Sequence, residues 1–148
     1  MVAQGQAHTE LQDKINHEVF KMQPNRMQIK EFSIDFEDGC CYFNYINAQG
    51  TKRLPFGMKE NVFDVFPQEG YADRVGGVWT KGHYYRCATS AAWLDEKKLH
   101  LKVQIIDKYF GRMDLIFDFE DENKVNLSIT KRAEFFLDEY EGNAIGER

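Results

Sequence analysis

The sequence predicts a mainly β fold, in which about seven or eight antiparallel strands form a barrel or a strongly curved sheet, with a helix at the N-terminus. Three observations predict it. Apolar and polar residues alternate over much of the chain after residue 27, short turns separate the alternating segments, and long helical crossovers between them are absent. The 148 residues, 43% of them hydrophobic, suffice for one core.

Residues 1–25 are predicted to form a helix or connector that leads into a β domain at residues 26–148. Thr9 and Gln12 fit a capping box at the start of this helix. An apolar stripe at helical spacing follows, and Pro24 ends it. The residues of the stripe are Leu11, Ile15, Val19 and Met22. We expect the stripe to pack against the rest of the chain or against a neighbouring domain.

Three strands are predicted in 27–56, separated by turns at 37–39 and 48–50, each of which ends in a glycine. Here Phe32, Ile34 and Phe36 share one face, as do Cys41, Phe43 and Tyr45. The looser region 57–82 is predicted to contain loops and one or two short strands.

Four more strands are predicted at 84–94, 99–108, 112–120 and 124–131. Their odd-numbered residues from 99 onward are mostly apolar and their even-numbered residues mostly polar, so one face lies in the core and the other in water. The inward row is Leu99, Leu101, Val103, Ile105, Met113, Leu115, Phe117, Phe119, Val125, Leu127 and Ile129. The segment 133–146 has helical propensity and is predicted to cover one end of the sheet.

A serine followed three residues later by a lysine, the nucleophile pattern of serine β-lactamases and penicillin-binding proteins, occurs at Ser128 and Lys131. On a helix this spacing brings both side chains to one face, whereas in a strand it points them to opposite faces. Because both residues lie in a predicted strand, we expect no catalytic residue in this chain.

The charge and the cysteine content limit the partners and the cellular location that we expect for this chain. The net charge is −5 and the basic residues are scattered, which argues against nucleic acid, and no apolar run is long enough to span a membrane. The three cysteines make no disulfide framework, and with the absence of a signal segment they favour a cytoplasmic location. Metal-binding motifs are also absent, so we expect neither a metal nor a cofactor.

Aromatic and small residues are concentrated in 76–95. The rings of Trp79, Tyr85 and Trp93 could line a pocket, with Arg86 available for an anion. Alternatively, the rings belong to the core and its rim, and the small residues permit close packing. Asp107 follows the inward row and either caps a turn or serves as a buried binding carboxylate.

The run from 90 to 142 resembles the C-terminal accessory, lipocalin-like domain of bacterial β-lactamase-related or penicillin-binding-protein-like serine hydrolases. The resemblance is carried by Trp93 and its following turn, IIDKYFG at 105–111, LIFDFEDE at 115–122 and AEFFLDEYEG at 133–142. LPFGMKENVFDVFP at 54–67 is similar to the early strands of such domains. In that family the catalytic motifs belong to a separate upstream domain, and none maps onto a position here.

The resemblance implies a non-catalytic accessory domain that packs on an upstream serine hydrolase domain and shapes substrate access or oligomerisation. The apolar stripe would then lie between the domains, and a homo-oligomer is a further partner to consider. The alternative is a lipocalin-like domain that binds a small hydrophobic ligand through Trp79, Tyr85, Arg86, Trp93 and Asp107. This alternative requires a cavity of several hundred Å³.

Overall fold

The described part of the chain folds as a β-barrel with one short helix. The computed structural model describes residues 2–68, 84–106, 110–132, 137 and 139–148, with the side chain of Phe110 left out. The described elements are α1 (Glu10–Ile15), β1 (Phe20–Met22), β2 (Glu31–Glu37), β3 (Cys40–Asn47), β4 (Gly50–Met58), β5 (Val62–Val65), β6 (Arg86–Asp95), β7 (Lys98–Ile106), β8 (Phe110–Asp121), β9 (Lys124–Arg132) and β10 (Gly142–Glu147).

Nine of the ten described strands close into a ring, in the order β4-β3-β2-β1-β10-β9-β8-β7-β6. The ring closes where Gly57 and Met58 of β4 pair in parallel with Ser90 and Ala91 of β6. β5 is appended beside the first half of β6, with which it pairs antiparallel. The prediction of a barrel is therefore confirmed.

Alternating side chains create the core of this barrel. In β3, every second residue from Cys41 to Asn47 is buried, and in β9 the buried row is Val125, Leu127 and Ile129. The tight turn between β2 and β3 has positive φ angles at Asp38 (50°) and Gly39 (74°), which match the right-handed twist of a hairpin. Period-two alternation and turn chemistry thus place one apolar face inside the ring.

The helix is shorter than predicted. It begins after Thr9, whose side chain accepts a hydrogen bond from the Gln12 backbone N–H as expected of an N-cap, and it ends at Ile15. The next residues form backbone hydrogen bonds with β2 instead. The His17 backbone N–H donates to the Ile34 carbonyl (2.9 Å), and His17 has a φ of 67°. Pairing with a strand therefore overrides the helical spacing of the stripe.

The predicted count of about seven or eight strands is too low. β1 has only three residues and lies within the apolar stripe, so its pattern is also a helical one. β10 contains Gly142 and Gly146, and Ile145 is its only residue that strongly favours a strand. Its sequence therefore does not predict a strand. Both strands are defined by their partners, since β10 pairs with β9 over six positions and with β1 over two.

The barrel has two different ends. The turns after β2, β4, β6 and β8 lie at one end, which also holds α1, and we call it the helix end. Here Ile15 is buried, and the Trp93 indole N–H donates to the Gln12 side-chain oxygen (2.9 Å). The opposite end contains the β3–β4 turn and the start of β10, and we call it the polar end because of the side chains described below.

The closure of the ring depends on a buried threonine. The Thr89 hydroxyl lies between β4 and β5, 2.6 Å from the Pro55 carbonyl oxygen and 3.2 Å from that of Val62. We expect Thr89→Val to lower the free energy of unfolding by about 1–3 kcal/mol, because the substitution keeps the shape but removes the donor. Urea unfolding measures this loss. Thr130→Val, at an exposed position of β9, is the control and is expected within about 0.5 kcal/mol of the wild type; equal losses would contradict the bridging role.

Candidate ligand-binding site

A small apolar cavity lies inside the barrel towards the polar end. Its volume is about 10 Å³, enough for about one water molecule. The side chains that line it come from opposite walls of the ring and from the connections before β2, after β5 and before β10. They are Ile29, Phe43, Tyr45, Leu54, Phe56, Phe66, Val103, Met113, Leu115, Ile129 and Tyr140.

Four buried polar side chains meet at one side of this cavity, and we call them the polar cluster: Tyr45, Asn47, Gln68 and Tyr140. The two phenolic oxygens are 2.7 Å apart. The Tyr140 hydroxyl donates to the Gln68 side-chain oxygen (2.8 Å), and the Asn47 amide donates to the same oxygen (3.0 Å) and to the Tyr140 hydroxyl (3.2 Å). An apolar cavity with a few convergent polar groups is typical of small-molecule binding sites.

Both tyrosines of the cluster are protonated at neutral pH. Burial raises the pKa of Tyr45 well above its usual value, and the neighbouring Tyr140 raises it further. Burial also raises the pKa of Tyr140. Cys87, on the inward row of β6, has its pKa raised to about 12, chiefly by burial. The cluster is therefore an array of neutral hydrogen-bonding groups rather than a charged site.

Of the predicted binding residues, the three that the structure describes do not meet at one place. Tyr85 and Trp93 are both buried, but Tyr85 lies just before β6 and Trp93 near its other end, eight residues apart and thus about 26 Å along an extended strand. Arg86 is exposed at the first position of β6. Trp79 and Asp107 lie outside the described residues.

The four residues of the apolar stripe have separate positions. Ile15 is buried, and Leu11 and Met22 pack against the core of this chain. Val19 is 44% exposed. Three of the four thus contact the barrel itself, and Met22 does so from a strand rather than from the helix.

The strand geometry of Ser128 and Lys131 is as predicted. Both lie in β9, where an offset of three places their side chains on opposite faces. The Ser128 hydroxyl donates to the Asn143 side-chain oxygen in β10 (2.6 Å). This contact joins two neighbouring strands on the outer face of the barrel.

Within the described ranges, no three His, Cys, Asp or Glu side chains are grouped so that they could hold a metal ion. None of the described helices has both the length and the apolar character needed to cross a membrane.

Sequence reasoning missed the polar cluster as a site. Tyr45 is predicted to share a face with Cys41 and Phe43, and Asn47 continues that row, so a polar residue on an otherwise apolar face is the available signal. Gln68 and Tyr140 lie outside the strands, in segments without periodicity. Their contact joins positions 72 residues apart, which no local pattern indicates.

Comparison with known proteins identifies the fold. No protein-family model and no curated protein matches the sequence. Among solved structures, a fatty acid-binding protein in brain tissue of Drosophila melanogaster is similar with a TM-score of 0.55 and 8% identity, over 90% of this chain and 99% of that one. A fatty-acid-binding protein isolated from Manduca sexta has a TM-score of 0.52 and 10% identity, over 89% of this chain and 96% of that one.

The resemblance to an accessory domain of β-lactamase-related serine hydrolases is therefore wrong. The structural neighbours are fatty-acid-binding proteins, and nothing supports an upstream hydrolase domain. The segments that carried the resemblance, such as 105–111 and 115–122, are strand and corner patterns that any antiparallel barrel can contain. At 8–10% identity the likeness shows the fold alone.

Proposed function

We propose that this chain is a binding protein that holds a small, mainly apolar ligand inside its barrel. The observation that carries the proposal is the meeting of an apolar cavity and a buried polar cluster in the interior of a closed ring. The apolar lining provides the affinity for the body of the ligand, and the cluster orients its polar end. The shared fold with two fatty-acid-binding proteins supports a ligand of this general class.

Binding requires the cavity to enlarge. Pockets for small organic ligands usually have volumes of about 300–1,000 Å³, whereas this cavity has about 10 Å³. Two lining side chains are suited to move. Met113 is unbranched and adaptable, and Phe66 is carried by a connection rather than by a strand of the ring. Their displacement therefore leaves the strand pairing intact.

Labelled methionine methyl groups provide a direct test. Met113 lines the cavity, whereas Met58 lies at the helix-end terminus of β4 and is only partly buried. With ¹³C-methyl methionine, titration of 1-decanol is expected to shift the Met113 resonance saturably and to leave that of Met58 in place.

Two results would contradict the proposed function. One is an unchanged Met113 resonance at the solubility limit of the ligand. The other is an equal, non-saturating drift of both resonances, which indicates surface partitioning rather than an internal site.

A further inference from the structure

We propose that the ligand carries a hydrogen-bond donor, such as a hydroxyl or amide N–H group, at the end of an apolar body, and that this group donates to the phenolic oxygen of Tyr45. This inference rests on the proposed function and specifies the chemistry of its ligand. It follows from which groups of the polar cluster donate hydrogen bonds and which accept them. The groups at the two edges of the cluster determine these roles.

One edge of the cluster is the Glu139 carboxylate. The Gln68 side-chain N–H donates to a Glu139 carboxylate oxygen (2.9 Å), because a carboxylate can only accept. This contact determines which way the Gln68 amide points, so its oxygen faces the cluster. There it accepts from Tyr140 and from Asn47, which uses both of its lone pairs.

The other edge is the turn between β3 and β4. The Gln49 backbone N–H donates to the Asn47 side-chain oxygen (3.0 Å), which fixes the orientation of that amide. The Asn47 N–H groups therefore point into the cluster, towards Gln68 and Tyr140. Both amides are thus oriented by partners outside the cluster.

The tyrosine protons follow from these constraints. Tyr140 has one hydroxyl proton, and the 2.8 Å contact with the Gln68 oxygen requires it, since that oxygen cannot donate. Hence the short contact of 2.7 Å between the two phenols is made by the Tyr45 proton, donated to Tyr140. Tyr140 then accepts from Tyr45 and from Asn47 and has no further capacity.

Tyr45 is left with acceptor capacity at the cavity. Its proton is used, its ring lines the cavity, and no described residue donates to its oxygen. Neither the described cavity lining nor the cluster contains a Lys, Arg or His side chain. A ligand that donates a proton completes the network, whereas an ether offers only acceptors and a carboxylate would also bring an uncompensated charge into the barrel.

Three ligands with apolar chains of nine or ten carbons test this inference by calorimetry at pH 7.4: 1-decanol, decyl methyl ether and decanoate. We expect decanol to bind about 3- to 10-fold more tightly than the ether, the value of one neutral hydrogen bond. Decanoate is expected to bind more weakly than decanol. If the ether or decanoate binds as tightly as decanol, the inference is overturned and the proposed function stands; if none of the three binds, both are overturned.

Substitutions test whether Tyr45 causes the preference for decanol over the ether. Tyr45→Phe is expected to abolish the preference for decanol over the ether. Tyr42→Phe, on the opposite face of β3, is the matched control and keeps it. Glu139→Leu, at an exposed position, removes the acceptor that orients Gln68 and is expected to reduce the preference even if Tyr45→Phe fails to fold. An undiminished preference in Glu139→Leu or in folded Tyr45→Phe overturns the assignment.

Discussion

Replacing Trp93 with alanine is expected to lower the free energy of unfolding by about 3–5 kcal/mol, the usual loss for a large buried aromatic residue. Trp93 has no exposed surface, and its ring lies 6.3 Å from that of Phe36 and 6.2 Å from that of Phe119. Its indole N–H also binds Gln12 of α1. The substitution thus opens a cavity at the helix end and removes a side-chain contact between the barrel and its helix.

Urea unfolding monitored by far-UV circular dichroism measures this loss. Leu94→Ala is the matched control, because Leu94 is the next residue of β6, points to the other face and is 46% exposed. It is expected to change stability by about 0.5 kcal/mol or less. A loss below about 1 kcal/mol for Trp93→Ala would show that the helix end is not packed as described.

Met113→Ala is expected to destabilise the protein by about 2–5 kcal/mol and to increase its stabilisation by an apolar ligand above that of the wild type. Met113 is 2% exposed and lines the cavity, so its truncation enlarges the space beside the polar cluster. A ligand that binds only the folded state at 100 times its Kd restores about 2.7 kcal/mol. We therefore expect decanol to recover a large part of the lost stability, measured as a rise in the urea midpoint.

Leu99→Ala provides the comparison for this rescue. Leu99 is fully buried, but it pairs with Trp93 near the helix end and does not line the cavity. Its truncation is expected to destabilise the protein to a similar degree, with no larger response to decanol than the wild type shows. A response of Leu99→Ala that exceeds the wild-type response and equals that of Met113→Ala would indicate that decanol binds any void in the core rather than the proposed site.

The regular strands of the barrel could be predicted because their pattern is local. The strand predicted at 124–131 is found as Lys124–Arg132, and the turn predicted at 37–39 joins β2 to β3. Alternating burial and a glycine-containing turn are each determined by residues that are close together in the sequence. The strands β1 and β10 could not be predicted in this way, because long-range pairing rather than residue type defines them.

The site was less predictable than the fold. Of its residues, Tyr45 is predicted to share a face with Cys41 and Phe43, and strand periodicity makes that face the buried one in the structure. Its role in the polar cluster depends on Gln68 and Tyr140. These two residues come from segments without a periodic pattern. The concentration of aromatic residues in 76–95 indicates a possible pocket there instead, yet Trp93 from that stretch packs at the helix end, away from the cluster.

Intermolecular nuclear Overhauser effects between bound decanol and the protein test the central claim most directly. We expect contacts from the first methylene group of decanol to the ring protons of Tyr45 and Tyr140. We also expect contacts from its terminal methyl group to buried aliphatic groups such as Leu115. Contacts confined to exposed apolar side chains, such as Phe63 (70% exposed) and Leu94, would contradict it.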